Sequence, residues 1–433
     1  NPTTPTQAGR IEALEKKLGG TGGPVFPKVK LSGFFHLDGG AFSQDPASRA
    51  TLGDIQNGVG FRRARLQAVG SVAEFTNYSL EMDFATAGRP SFQDVWGEQT
   101  NIPFFGAIRA GQYRQPTTMD SWTSIRQLTF LERSLPFQAF DPFRRVGVMA
   151  YNTTEDQMGM WAYSAFKTGG FANAPVGDSR FATDIGDNGG YAFTGRATRL
   201  LYYDDQAKDR YLTHIGGHYT YAMNTGTGAP GSKFYQSRVI PEFFVGDPAA
   251  GGLVTAGTPF FADTGRFAAN DYNFYSAEFA TQAGSAYFQG EYMATTVNQV
   301  AGPQVFFDGG YGQVGYFLTG ENRSYNKTMG VLDRITPYSD FFALGRRGGF
   351  CGWGAWEVAG RLSYVNLADA RVIPLPGFTT AGQGRVTNAT AGLNWYLNNY
   401  TKLQFNYIRS FVDNVALGQS NVSIYAARLQ VEF

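Results

Sequence analysis

The last residues, Tyr425-Ala426-Ala427-Arg428-Leu429-Gln430-Val431-Glu432-Phe433, alternate with a period of two. Tyr425, Ala427, Leu429, Val431 and Phe433 share one face; Ala426, Arg428, Gln430 and Glu432 share the other. Successive side chains of a strand point to opposite faces, so this segment reads as a strand lying between two different solvents. A strand of this kind that ends on an aromatic residue is expected to close the wall of a membrane barrel.

The same period recurs along the chain. Tyr78, Leu80, Met82 and Phe84 alternate with Asn77, Ser79, Glu81 and Asp83. Trp356, Val358, Gly360, Leu362 and Tyr364 alternate with Ala355, Glu357, Ala359, Arg361 and Ser363. Val314, Tyr316 and Leu318, then Ala391, Leu393, Trp395 and Leu397, then Leu403, Phe405 and Tyr407 repeat the pattern. A soluble sandwich can alternate in this way too. Many strands of about ten residues, parted by turns and by long loops near 40–57, 168–192, 224–270 and 338–352, favour the barrel. No run approaches the roughly 18 apolar residues of a membrane helix, whereas barrel strands need only every second residue apolar. The 55 glycines suit a bent sheet, and the 37 phenylalanines and 24 tyrosines suit interfacial girdles. The expected fold is therefore all-β: a transmembrane antiparallel β-barrel of about 16 strands over residues 28–433.

Residues 1–27 differ. Ile11, Leu14 and Leu18 have heptad-like spacing among Glu12, Glu15, Lys16 and Lys17, and the breaker run Gly19-Gly20-Thr21-Gly22-Gly23-Pro24 follows. A short periplasmic helix and a hinge are expected, the helix being either a trimerising coiled coil or a solvated leader. The opening at Asn1 without a basic-apolar stretch fits a secretory signal already removed. Cys351 is the only cysteine, so no intrachain disulfide framework exists. A net charge of +1 gives no global field for nucleic acid, and electrostatic selectivity must be local. The histidines are His36, His214 and His218; on a strand the last two stand about 13 Å apart, too far to chelate. With no nucleophile elbow, phosphate loop or zinc spacing, neither an enzyme nor a cofactor or metal site is expected.

Six segments carry a family resemblance: FRRARL at 61–66, IRAGQYRQP at 108–116, TFLERS at 129–134, GYFLTGENRSY at 315–325, GAWEVAGRLSY at 354–364 and GLNWYLN at 392–398. In this order and spacing the chain resembles the phosphate-selective porin O and P family. The resemblance implies a homotrimeric, 16-stranded channel of the Gram-negative outer membrane. One loop would fold inward to narrow the pore, and cationic side chains would hold an anion there. That loop is expected over 115–143, where Arg126, Glu132 and Arg133 stand with Thr117, Ser121, Thr123 and Ser124, close to Arg144. Carried over residue by residue, the pore or anion-binding set is Arg62, Arg63, Arg65, Asp94, Arg109, Arg126, Arg133 and Lys402. By parity Arg63, Arg65 and Gln67 face water while Ala64, Leu66 and Ala68 face lipid, and Arg109 points inward. Forked guanidinium donors match oxyanions, and a ring of such cations in a narrow pore concentrates anions. The structural alternative is that these charges simply pair with Glu81, Asp83 and Glu132. The chain also departs from the family, because the later strands lack a run of alternating arginines; Arg196, Arg199 and Arg210 are scattered. Two readings follow. One is passive diffusion of small hydrophilic solutes with anion preference, phosphate foremost. The other is a weakly selective general pore whose N-terminal helix also tethers the envelope. The partners expected are small anions such as phosphate, outer-membrane lipids and further copies of the chain.

Overall fold

Sixteen of the alternating segments form strands: β1 (Lys28–Gln44), β2 (Gly58–Ala73), β3 (Thr76–Asp83), β4 (Ser91–Ile102), β5 (Gly106–Arg114), β6 (Arg144–Thr153), β7 (Gly159–Lys167), β8 (Gly190–Tyr203), β9 (Tyr211–Asn224), β10 (Phe267–Ala283), β11 (Ala286–Gln299), β12 (Val305–Phe317), β13 (Ala355–Asn366), β14 (Gly384–Asn398), β15 (Thr401–Asn414) and β16 (Gly418–Glu432). The computed structural model describes residues 26–85, 90–168, 171–172, 190–224, 234–245, 257–341 and 352–433. The expected leader helix lies outside the described residues, as does Cys351. Each strand pairs antiparallel with its neighbours in sequence, and β16 pairs back onto β1 from Phe34↔Glu432 to Gln44↔Val422. Closure leaves no edge, so the wall can stand in hydrocarbon with its peptide groups satisfied in the ladder.

Alternation sorts side chains as the sequence pattern requires. On β16, Tyr425 and Phe433 are exposed on the outer wall while Arg428, Gln430 and Glu432 are covered inside. On β3, Leu80 is exposed outside and Ser79, Glu81 and Asp83 are buried inside. The outer wall is uneven around its perimeter. Exposed strand tyrosines run from Tyr163 on β7 to Tyr425 on β16; among the described residues none stands on β1–β6. There the outward positions include Ala64, Ala68, Gly97 and Ala110 together with the exposed Leu31, Phe61, Leu66, Leu80 and Val148.

Both ends of the described wall, at Lys28 and Phe433, share a rim with the tight connections at 74–75, 284–285 and 399–400. Short turns mark the periplasmic rim of a bacterial barrel. One connection on that rim, 318–354, is long. It is not needed to join its strands, because Leu318 N already donates to Trp356 O at 2.8 Å. Its hairpin, Arg323–Asn326 against Val331–Ile335, turns into the lumen. There the inward-facing Arg196 donates to Met329 O (2.7 Å) and Gly330 O (2.9 Å), and Tyr325 Oη lies 2.8 Å from His214 Nδ1. The GYFLTGENRSY segment thus belongs to the wall only as far as Phe317, and its last residues, from Arg323, enter the hairpin. The long loop near 40–57 contains a helix, α1 (Pro46–Leu52), capped by Asp45, which accepts from Ser48 N at 2.6 Å.

Three segments fill much of the barrel. Leu131, Leu135, Phe137 and Phe140 of the loop after β5 pack with Val239, Phe243 and Phe261 from the connection between β9 and β10. Toward the periplasm, Val331, Leu332 and Ile335 of the hairpin belong to the cluster that includes Tyr113, Trp122 and Tyr287. An apolar interior inside a polar wall leaves only part of the cross-section for water.

Candidate pore constriction

Residues 115–143 leave the wall after β5 and return at β6. They meet inward side chains of β2, β11, β13, β14, β15 and β16, so they cross the lumen. Two short helices, α2 (Met119–Trp122) and α3 (Leu135–Phe140), shape the loop. Thr118 caps α2, and Ser134 with the following proline sequence starts α3. Asp141 ties the two ends: it accepts from Thr117 Oγ1 (2.5 Å), Ser121 Oγ (3.2 Å) and Phe143 N (2.7 Å). Burial pushes the Asp141 carboxyl up to about 6, against the pull of these donors. Thr123 Oγ1 donates to Met119 O at 2.8 Å. The Thr117, Ser121 and Thr123 hydroxyls, expected as oxyanion donors, therefore bond within the loop.

A loop without ladder partners must satisfy its carbonyls elsewhere. Lys402 Nζ donates to Arg126 O (3.0 Å) and Leu128 O (3.1 Å). Arg323 of the periplasmic hairpin reaches Gln127 O at 2.8 Å, and Asn394 Nδ2 reaches Thr129 O at 2.8 Å. Arg428 donates to Leu131 O, and Arg361 Nη1 to Glu132 O at 3.0 Å. Lys402 points inward as parity requires, and its ammonium grips the loop. Arg133 is held inside the loop, donating to Asp120 O (2.7 Å) and Thr123 O (2.6 Å). Burial brings its guanidinium down to about 9.

Charge gathers where the loop meets β1, β2 and β16. Glu132 accepts from Arg63 Nη1 (2.9 Å) and Nη2 (2.7 Å), from Arg62 Nε (3.2 Å) and from Arg428 Nη2 (2.9 Å). Arg428 also holds Asp38 through Nε (2.7 Å) and Nη2 (2.6 Å). Burial alone would raise the Glu132 carboxyl, but Arg62, Arg63 and Arg428 outweigh it and hold it well below the carboxylate range. Three guanidiniums against two carboxylates leave a local charge of +1. Arg62 and Arg63 reach the same side because the β1–β2 register shifts between His36 and Leu37, leaving Arg62 without an opposite residue. The Arg62 guanidinium also lies over Phe244, 4.3 Å from the ring centre.

The remaining positions fall into paired sets. Arg65 bonds Asp83 at 2.8 Å and lies 3.6 Å from Glu81. Asp94 takes Arg144 by both oxygens, at 2.9 and 3.2 Å, so it orients Arg144. Arg109 bonds Glu98 at 2.6 Å and stacks 3.9 Å over Trp96. Arg126 is different. Its side chain keeps 30% exposure, and its carboxylate contact is Glu432 at 3.6 Å. Glu432 is bonded more closely by Arg334 of the hairpin, at 2.7 Å. Sequence reasoning missed Arg428, Asp38, Arg361, Arg334 and Glu432. Arg428 and Glu432 were already on the polar face of the closing strand, so parity gave the signal and only their partners were lacking. His214 bonds Glu278 at 3.1 Å, and His218 bonds Ser276 at 2.5 Å; no three metal-ligating side chains gather among the described residues.

This closed wall with charged contents can be set beside known proteins. The family model for phosphate-selective porin O and P matches residues 29–228 and 258–433. Porin O of Pseudomonas aeruginosa is 22% identical over 424 residues, covering 93% of this chain and 88% of that protein. Among solved structures, an anion-selective porin from Comamonas acidovorans superposes with a TM-score of 0.53 at 12% identity, covering 94% of this chain and 99% of that one. The trimer form of OmpT, an outer membrane protein of Vibrio cholerae, gives 0.52 at 10% identity, with 94% and 99% covered. These two likenesses share the fold. The family and fold are those of non-enzymatic channels, and together with the closed 16-stranded wall they place this chain in the bacterial outer membrane as a porin belonging to the phosphate-selective porin O and P family.

Proposed function

We propose that this porin passes small hydrophilic solutes by passive diffusion and prefers anions, with inorganic phosphate the leading permeant. The observation that carries the reading is the excess of guanidinium over carboxylate at the constriction. Arg62, Arg63 and Arg428 converge on Glu132 and Asp38, and Arg126 of the same loop keeps a partly open side chain by Glu432 and the Phe34 ring. Cations held in a narrow, poorly hydrated passage reject cations and hold anions. Forked donors suit a tetrahedral oxyanion. In this reading the partly open Arg62 and Arg126 contact the permeant, the covered Arg63 adds its charge behind Glu132, Arg65, Asp94 and Arg109 set the field along β2, β4 and β5, and Arg133 and Lys402 act by holding the loop. The anion selectivity of the Comamonas porin and the family's name point the same way.

The homotrimer expected from the resemblance is supported by the wall over β1–β6, where no described strand tyrosine stands exposed and the outward side chains include alanine, valine, leucine and phenylalanine. A girdle is needed where a wall meets headgroups and not where it meets a second copy. The tethering alternative rests on residues 1–25, outside the described part of the chain.

The decisive experiment is a salt-gradient reversal potential in planar bilayers. Arg126→Glu should move the potential toward cation selectivity, with a severalfold change in the permeability ratio. An unchanged potential would remove this loop from the selectivity mechanism. Block of chloride current by low concentrations of phosphate is expected if phosphate binds; its absence would leave a general pore.

A further inference from the structure

The outer wall carries a trough at its periplasmic end, on the side opposite β1–β6. Its volume is 620 Å³, and it spans β10–β13. The registers show how it is built. Across the four strands one row reads Thr281, Phe288, Val314, Gly360, and the next, nearer the rim, reads Ala283, Ala286, Tyr316, Val358. Phe288 adjoins Val314 in the first row and Tyr316 adjoins Val358 in the second, so these stand as a ridge, with Ala283 and Ala286 low on the flank beside the rim turn and Gly360 low on the other flank. Phe288, Val314 and Tyr316 are all exposed on a wall that faces hydrocarbon.

The rim end of the trough lies at the 284–285 turn, between Ala283 and Ala286. Arg210 sits there. Gly284 N donates to Arg210 O at 2.8 Å, and a Cβ placed on Gly284 would lie 3.7 Å from Arg210 Nη2. Arg210 Nη1 donates to Gly320 O (3.1 Å) and Tyr338 Oη (2.8 Å), both neutral. Gly320 and Tyr338 flank the Arg323–Ile335 hairpin on either side. The nearby Asp209 carboxylate accepts from Tyr203 Oη at 2.5 Å, and Asp205 lies 3.5 Å from Lys327. A guanidinium with neutral partners therefore stands at the rim, beside the end of an apolar trough.

We propose that this is a binding site for one phospholipid of the periplasmic leaflet, with an acyl chain on the Ala283–Ala286 floor against Phe288 and Tyr316 and the headgroup phosphate on Arg210. Charge decides the headgroup end: a forked cation matches a phosphate oxygen pair. Apolar area decides the other end, since each methylene removed from a rough wall into a fitted groove gains contact. The site also braces the roots of the hairpin, because the same guanidinium holds Gly320 and Tyr338.

The test uses the full-length protein extracted in mild detergent and washed extensively, with bound phospholipid counted by native mass spectrometry. The wild type should retain one phospholipid per chain. Ala286→Trp, which fills the trough from outside, and Arg210→Gln, which removes the phosphate ligand, should each lower occupancy severalfold. Heat-modifiable gel migration checks that both variants are folded barrels. Re-addition of phosphatidylethanolamine vesicles should restore occupancy in the wild type and not in Ala286→Trp. Equal retention by all three proteins, no retention by the wild type, or retention of lipopolysaccharide in place of phospholipid would each overturn the assignment.

Discussion

Arg62 and Arg63 are neighbours in the chain and still face one side, because the register slip opposite His36 and Leu37 frees a residue. Strict alternation assigns Arg63 to water and would have sent Arg62 into lipid. The slip is set by pairing with another strand, so it is not legible in the FRRARL segment alone. What alternation does reveal is direction: Arg65, Arg109, Lys402 and Arg428 all point inward as read. It does not reveal what they meet, and for Lys402 that is a pair of loop carbonyls. Asp141 offers a test at this scale. Between about pH 4 and pH 6 the folded loop keeps a proton on Asp141 that the unfolded chain releases. Its contribution to stability is therefore largest at low pH, falls as pH rises through that window, and is flat above it. The rise from 3.8 to about 6 corresponds to a ceiling of about 3 kcal/mol. Asp141→Asn keeps the acceptor and removes the charge. Thermal melts of the detergent-solubilised protein should show a smaller drop between about pH 4 and pH 7 for the variant, which should melt higher than the wild type at the upper end.

At the scale of elements, the strands were legible because period two needs no knowledge of partners. The loop after β5 was legible through the family segments that frame it, together with its charge and hydroxyl content. The periplasmic excursion was not. Its first half continues the wording of β12, and nothing in residues 318–325 announces that the chain leaves the wall. The turn inward is determined by distant groups: Arg196 and His214 on β8 and β9 receive it, and Arg323 anchors to the carbonyl of Gln127 and the hydroxyl of Thr129. Replacing 319–354 by a two-residue turn should leave a closed, heat-modifiable barrel, since Leu318 and Trp356 already pair at the rim. Single-channel conductance should rise severalfold and the open current become noisier, because the loop loses Arg323 as a donor and buried Gln127 O loses its partner.

For the whole molecule, the wall and its filling obey different rules. The wall faces hydrocarbon and follows a strict repeat, so residues 28–433 were assignable as a barrel from pattern alone. The interior follows no repeat, since each inward segment is fitted to particular side chains from six or more strands. The uneven girdle is a property of the full perimeter and emerges only once all strands are placed. It carries a prediction. Ala110→Trp, on the wall over β1–β6, should shift the proposed trimer toward monomer in light scattering, whereas a bulky change at Gly360 on the far side should leave the assembly state unchanged. The rim contact between Leu318 and Trp356 has a wider consequence. A cylinder that is already complete without one of its segments treats that segment as an exchangeable cartridge, so what passes through can be respecified in one stretch of gene while the envelope that lipids and sister copies see is inherited unchanged.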